Sequence, residues 1–326
     1  MDSSGSPAAD GTAEAWPELP WREWAPTIST LQLWTQVVGK LRLALTPPVA
    51  HWWQVPLYLT ARGLTTSAIP YGHRRFQVDF DFVDHRLDVT DDRPGSFSMA
   101  LALISVARFH RELMAALAER GFEVRISRRP VEVAEAIPFA EDEVHASYDA
   151  EHAHRFWRGL IEADRVFRVF RSRFVGKASP VQFFWGSFDL SATRYSGRAA
   201  PAHPGGAPNC PDWVMVEAES RENAAAGWWP LSEEPGPAFY AYAYPAPDGY
   251  RDARVGPAGA RFDERRGEFL LPYDTVRTSA DPDAAVLEFL QTTYEAAATL
   301  GGWDRAMLEA TGAPQTPPHR PWSEPR

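Results

Sequence analysis

The chain has 326 residues, 44% of them hydrophobic and 13% aromatic, with 13 tryptophans and a formal net charge of −10. That length supplies a full core for one large domain or two ordinary ones, and the acidic balance excludes the basic footprint of a general nucleic-acid binder or an anionic-lipid binder. A single cysteine, Cys210, excludes an internal disulfide and a cysteine metal cage, and no apolar run reaches membrane-spanning length.

Residues 1–15 are small and acidic, without the basic start or apolar stretch of a signal peptide. They read as a disordered leader, which makes the expected compartment cytoplasmic. Residues 16–24 carry three tryptophans and two prolines and read as an arm pinned on the body. Thr27 is the expected cap of a first helix, with Ile28, Leu31, Trp34 and Val38 at helical spacing and Gly39 as its stop. Beyond it the period changes to two. Leu41, Leu43 and Leu45 predict a strand, and residues 51–60 a second one. Phe76, Val78, Phe80 and Phe82 alternate with Gln77, Asp79 and Asp81, a clear strand signal that turns back into 86–90. Residues 99–120 form an amphipathic helix ended by Gly121; 122–126 read as a short strand and 127–144 as a connector.

Asp149 caps the next helix, whose buried face carries Phe156, Trp157, Leu160 and Phe167. Residues 179–198 follow as two strands, 199–211 as a Pro/Gly loop, 213–218 as a strand and 220–237 as another loop. Residues 238–244 alternate strictly, with Tyr240, Tyr242 and Tyr244 on one side. Two weaker strands flank a turn at 263–267. Asp281-Pro282 opens a final helix that Gly301 stops, and the tail after Ala310 is Pro-rich and reads as disordered.

Runs of strands between helices argue an α+β fold of mostly antiparallel sheets with flanking helices. Two segments also resemble each other. Gly39-Lys40, Pro47-Pro48-Val49, Trp53, Leu59-Thr60-Ala61 and Ser67 run parallel to Gly176-Lys177, Ser179-Pro180-Val181, Trp185, Leu190-Ser191-Ala192 and Ser196. This predicts two pseudo-repeated helix–meander–helix halves, residues 16–144 and 145–310, in one compact body, with 311–326 as a tail.

The second half carries the longer loops, so the site is sought there. His51, Trp53, Gln182, Trp185, Asp189, Arg194, Arg198, Trp229 and Tyr242 are the candidate ligand-binding residues, aromatic faces with directed polar groups. Asp189 and Arg194 suit either a buried ion pair or a polar ligand. Glu217 and Glu222 are the candidate acid and base of a hydrolysis, with Glu217 and Glu219 placed on one strand face. The histidines show no metal spacing, and nucleophile-elbow, P-loop and dinucleotide fingerprints are lacking. No metal and no cofactor are therefore expected.

The strings Gly39-Lys40-Leu41-Arg42-Leu43, His51-Trp52-Trp53, Ser179-Pro180-Val181, Phe183-Phe184-Trp185-Gly186-Ser187-Phe188-Asp189-Leu190, Thr193-Arg194, Ser196-Gly197-Arg198, Trp229-Pro230 and Tyr242-Ala243-Tyr244-Pro245 resemble an uncharacterised bacterial family of unknown function. The resemblance runs from Trp16 to Glu309 and implies no activity, substrate or cofactor. The chain departs from the family pattern at Arg221, where a histidine is expected, and at Trp228, where a phenylalanine is. The functional expectation is binding of a small polar or saccharide-like ligand in an aromatic pocket of the second half, with carboxylate-assisted hydrolysis as its extension. The alternative is a non-enzymatic interaction or oligomerisation module built on aromatic strands. Oligomeric state is left open.

Overall fold

The computed structural model describes residues 15–230 and 236–310; the leader through residue 14 and the tail lie outside them. The described chain is α+β, with two antiparallel sheets of six strands each. None of its helices is long and apolar enough to cross a membrane.

Helix α1 (Trp21–Leu45) is the central strut. It starts six residues before Thr27, carries Pro26 in its second turn and runs through Gly39 and the alternating leucines. The predicted strand at 41–45 is thus the end of a helix. Nearly every side chain from Thr27 to Arg42 is buried, and a helix buried all round has no amphipathic period to read. Gly39 is a contact, not a stop: a Cβ there would lie 2.2 Å from the Trp185 indole. The hydroxyls of Thr27 and Thr30 accept the backbone N–H groups of Asp149 and Ser147, tying the next helix entry to α1.

The first sheet contains β1 (Tyr58–Leu59), β2 (Gly63–Thr65), β3 (Ile69–Tyr71), β4 (Arg74–Asp81), β5 (Arg86–Asp91) and β6 (Ser96–Ala100), in the order β1-β2-β4-β5-β6 with β3 also on β4. Residues 51–57 precede it as a 3-10 turn and irregular chain instead of the predicted strand. In β4 the alternation holds, with Phe76, Val78 and Phe80 buried. Helix α2 (Val106–Glu119), capped by Ser105, packs on α1. Residues 122–126 are not a strand; Phe122 inserts between the Tyr71 and Phe76 rings.

Helix α3 (Ala150–Ser172) leads into the second sheet: β7 (Gln182–Phe184), β8 (Asp189–Ala199), β9 (Arg221–Trp229), β10 (Ala238–Tyr244), β11 (Arg261–Asp263) and β12 (Glu268–Pro272). Its order is β11-β12-β10-β9-β8-β7. Between β8 and β9 stands helix α4 (Asp212–Ala218), none of whose residues is buried. Residues 213–218 thus lie in this helix instead of the expected strand, and the expected loop at 220–237 contains β9, a central strand. The remaining helices are α5 (Tyr273–Arg277), α6 (Pro282–Leu300) and α7 (Arg305–Leu308).

One face of this sheet packs against α3 and α6. Trp228 stacks on Phe156 of α3, and Phe239 meets Phe167. The N-terminal arm packs on this same face, with Trp16 against Phe239 and Tyr273. The two sheets touch through one bridge, in which Leu57 and Phe183 exchange both backbone hydrogen bonds at 2.9 and 2.8 Å. The other face of the second sheet is left for the site.

Candidate ligand-binding site

Strand parity decides which side chains reach this open face. The register aligns Ser191 with Gly227 and Tyr240, and Thr193 with Ala225 and Tyr242. These positions share a side, and Ser191, Thr193, Tyr240 and Tyr242 line a cavity of about 930 Å³ together with Asn223 and Glu268. The composition of β9 now has a reason. A Cβ on Gly227 would stand 2.3 Å from the Tyr240 ring, so only glycine lets that tyrosine lie flat across the sheet. Tyr240 and Tyr242 then stack with centroids 6.2 Å apart and planes 14° from parallel.

Trp185, Trp229 and Phe184 wall one side, and His51, Trp53 and Tyr195 the other. Trp185 Nε1 donates to the Val55 carbonyl and Trp229 Nε1 to the Ser187 carbonyl, both at 2.9 Å, so each ring is held by its polar edge. Helix α4 contributes Trp213, Val214 and Met215, and the segment around Val131 and Glu132 completes the enclosure.

Four carboxylates face this space. Asp189 accepts the hydroxyls of Ser187 and Tyr240, and burial pushes its carboxyl upward. Glu219 accepts Asn223 Nδ2 at 2.6 Å and the Tyr242 hydroxyl at 3.0 Å, and burial raises it too. Glu132 is pushed up to about 7, first by burial and then by the Asp189 charge. Glu132 lines the cavity, and its carboxylate lies against Gly186, where a Cβ would come within 2.2 Å. Glu268 is likewise pushed up to about 7 by burial, with Arg266 opposing and Asp189 adding to the shift. Arg266 lies over the Trp229 ring at 4.6 Å. Lys40, reaching in from α1, donates to the Ser127 hydroxyl at 2.6 Å, and burial lowers it to about 8.

His51 is fixed from both ring nitrogens. Nδ1 lies 2.8 Å from the Ala218 carbonyl, and Nε2 lies 2.8 Å from Lys177 Nζ. A carbonyl only accepts and an ammonium only donates, so the ring carries its proton on Nδ1. Burial lowers its pKa, which keeps it neutral. His51 and Trp52 both take left-handed backbone conformations, φ 60° each, which non-glycine residues seldom adopt. Glu217 Oε1 accepts the His51 backbone N–H at 3.2 Å, and the Val214 carbonyl accepts Trp52 Nε1 at 2.9 Å. Helix α4 thereby holds the strained pair in place.

Seven of the sequence candidates therefore meet: His51, Trp53, Gln182, Trp185, Asp189, Trp229 and Tyr242 all line the cavity. Four stand elsewhere. Arg194 is five residues from Asp189 on β8, and an odd spacing places the two on opposite faces. Its guanidinium donates to the Phe170 carbonyl and lies 3.5 Å over Phe170 and 4.2 Å over Tyr294. The expected Asp189–Arg194 pair is thus not formed. Arg198 pairs with Glu222 at 2.6 Å and donates to the Gly301 and Gly302 carbonyls at the end of α6. Glu222 also accepts the Ser196 hydroxyl at 3.0 Å. Glu217 sits on α4 as the anchor of His51, and because α4 is helical it shares no strand face with Glu219.

Lys40, Glu132, Asn223 and Glu268 were not singled out as site residues from the sequence, and Glu219 and Tyr240 were noted beside Glu217 and Tyr242 without being chosen. Tyr240 was signalled by the same alternation that found Tyr242. Glu132 gave no signal, being one acid in an irregular connector. Among the described residues no three His, Cys, Asp or Glu side chains converge as metal ligands do. Residues 16–310 match the profile of a family of unknown function, DUF5996. No curated protein and no solved structure matches the chain.

Proposed function

Since the chain belongs to DUF5996, a family of unknown function, no activity comes with its membership, and we propose from the site itself that it binds a small polar organic ligand with a flat, planar or saccharide-like face. The observation that carries this reading is the cavity on the open face of the second sheet. At about 930 Å³ it falls in the range of small-molecule sites, roughly 300–1,000 Å³. Its walls combine ring faces of Trp53, Trp185, Trp229, Tyr240 and Tyr242 with inward carboxylates and amides. Rings supply stacking area and the polar groups fix orientation.

A hydrolysis by Glu217 and Glu222 gains no support, because both side chains are engaged away from the cavity. The interaction-module alternative needs the aromatic strands on an outer surface, whereas their rings line the cavity. A thermal-shift screen of sugars, nucleobases, aromatic acids and amines tests the proposal, since a bound ligand raises the unfolding temperature by mass action. At least one class should raise it, and Trp53→Ala should weaken the shift. A screen without any shift would refute the reading.

A further inference from the structure

Glu132, Asp189 and Glu268 all line the cavity near Trp229: Glu132 lies against Gly186, Asp189 accepts the Ser187 hydroxyl, the Ser187 carbonyl accepts Trp229 Nε1, and Arg266, two residues before Glu268, lies over the Trp229 ring. Among the described residues neither Glu132 nor Asp189 makes an ion pair. Asp189 receives only the hydroxyls of Ser187 and Tyr240. The cations nearby are committed elsewhere. Lys40 is held by Ser127 and lies between the Phe139 and Trp185 rings. Arg266 lies on Trp229 and opposes only Glu268. Arg128 pairs with Glu141, and Arg129 donates to the Ala136 carbonyl.

A second observation points to a ligand independently of the acids. Gln182 is 1% exposed, and the register with Ser191 turns its side chain to the cavity face, yet its Oε1 has no hydrogen-bond partner. A buried acceptor without a donor is costly and marks a place where a donor is missing. Asn223, 2% exposed and also lining the cavity, has the same deficit at Oδ1. Carboxylates, orphaned amide oxygens and aromatic faces all ask for the same thing, a hydrogen-bond-donating cation.

We infer that the ligand of this cavity is a small organic ammonium compound, its flat body on the Trp and Tyr rings and its charged nitrogen among Glu132, Asp189 and Glu268. This inference rests on the ligand-binding reading above and names its chemical class. The binding must be linked to protons. Glu132 and Glu268 each sit near 7 in the free protein, so a cation displaces protons from them and binds more tightly as the pH rises from 6 to 8. Asp189 and Glu219, also raised by burial, change charge in the same sense as Glu132 and Glu268, whereas Tyr240, Tyr242 and Cys210 are raised by burial and stay neutral over that interval. Lys40, lowered to about 8, loses charge at its upper end, which helps a cation in the same direction.

Three isosteric probes decide the matter by calorimetry on the full chain: tryptamine, its uncharged alcohol tryptophol, and the anion indole-3-acetate. Tryptamine should bind at least tenfold more tightly than tryptophol and at least threefold more tightly at pH 8 than at pH 6. Glu132→Gln and Glu268→Gln should each shrink both ratios without altering the circular dichroism. Asp189→Asn is the stronger test if it folds; the two glutamine variants suffice if it does not. Equal or better binding of the alcohol or the anion would overturn the cation while leaving the ligand-binding reading intact. Binding of none of the three would overturn it too, and the broad screen would then decide the wider reading by itself.

Discussion

Arg194 shows how one residue's role turns on strand parity. It has the composition of a ligand anchor, yet it lies sealed between Phe170 and Tyr294, with burial lowering it to about 9. Arg194→Ala should cost about 2–5 kcal/mol, the range of large-to-small core substitutions, and leave ligand affinity unchanged in the surviving folded fraction. Arg194→Met keeps the packing and removes a desolvated charge, so it should cost much less in urea unfolding. The Phe170 carbonyl still has the Arg173 N–H at 3.2 Å. Glu132 gives the complementary test. Burial holds its carboxyl at about 7 in the folded protein, above the ordinary value of 4.5. A raised acid favours the folded state fully below the unfolded pKa and loses that contribution as the pH climbs through the folded one. Wild-type stability should therefore fall relative to Glu132→Gln between pH 4.5 and 7 and run parallel outside that window. Denaturation curves at pH 4.5, 6 and 7.5 measure this, and curves parallel throughout would refute the placement of Glu132. At this scale the sequence was informative about residue type and silent about direction. Trp185, Trp229 and Tyr242 were found because ring-rich strands stand out. Arg194 and Arg198 came with them because composition does not say which face a side chain takes.

Among the elements, α1, β9 and α4 were misread for three different physical reasons. Helix α1 is buried nearly all round from Thr27 to Arg42 and so shows no one-sided period, and the leucines that run on into its exposed end at Leu43 simulate a strand. Strand β9 reads Asn-Ala-Ala-Ala-Gly at its centre, a run of low strand propensity tolerated because tertiary pairing overrides it and required because tyrosines lie over it. Helix α4 has neither a buried face nor a side-chain cap, and residues this short carry no period to detect. By contrast β4, the body of α2 and the start of α3 were legible, since each has one wet and one dry face or a capping side chain, while the helix expected from 99 begins only at Val106 because Met99 and Ala100 belong to β6. Glycine to alanine inside a helix ordinarily gains up to about 1 kcal/mol. Gly39→Ala should instead destabilise by about 1–3 kcal/mol, the usual cost of overpacking, because the new methyl meets the Trp185 indole at 2.2 Å. It should also displace that ring and weaken ligand binding. A variant as stable as wild type would show that α1 does not set the Trp185 wall.

For the whole molecule, the α+β class and the antiparallel sheets followed from the order of strand runs and helices. The cavity did not, because its walls come from five separated stretches: the end of α1, residues 51–55, residues 127–132, α4 and the open face of the second sheet. Spacing within a sequence cannot report such convergence. We propose that the two halves are a duplication, which superposing residues 16–144 on 145–310 tests. The halves also hold each other, through the Leu57–Phe183 bridge and the hydrogen bond from Trp185 Nε1 to Val55. The site is thus a property of the assembled body. The most direct test fills the cavity from its floor. Thr193 faces it from β8 beside Ala225, and Thr193→Trp places an indole where the ligand body would lie. With a hit from the thermal-shift screen, calorimetry should detect binding to the wild type and at least a hundredfold loss in Thr193→Trp of unchanged circular dichroism. Undiminished affinity in that variant would contradict the claim that this cavity is the binding site.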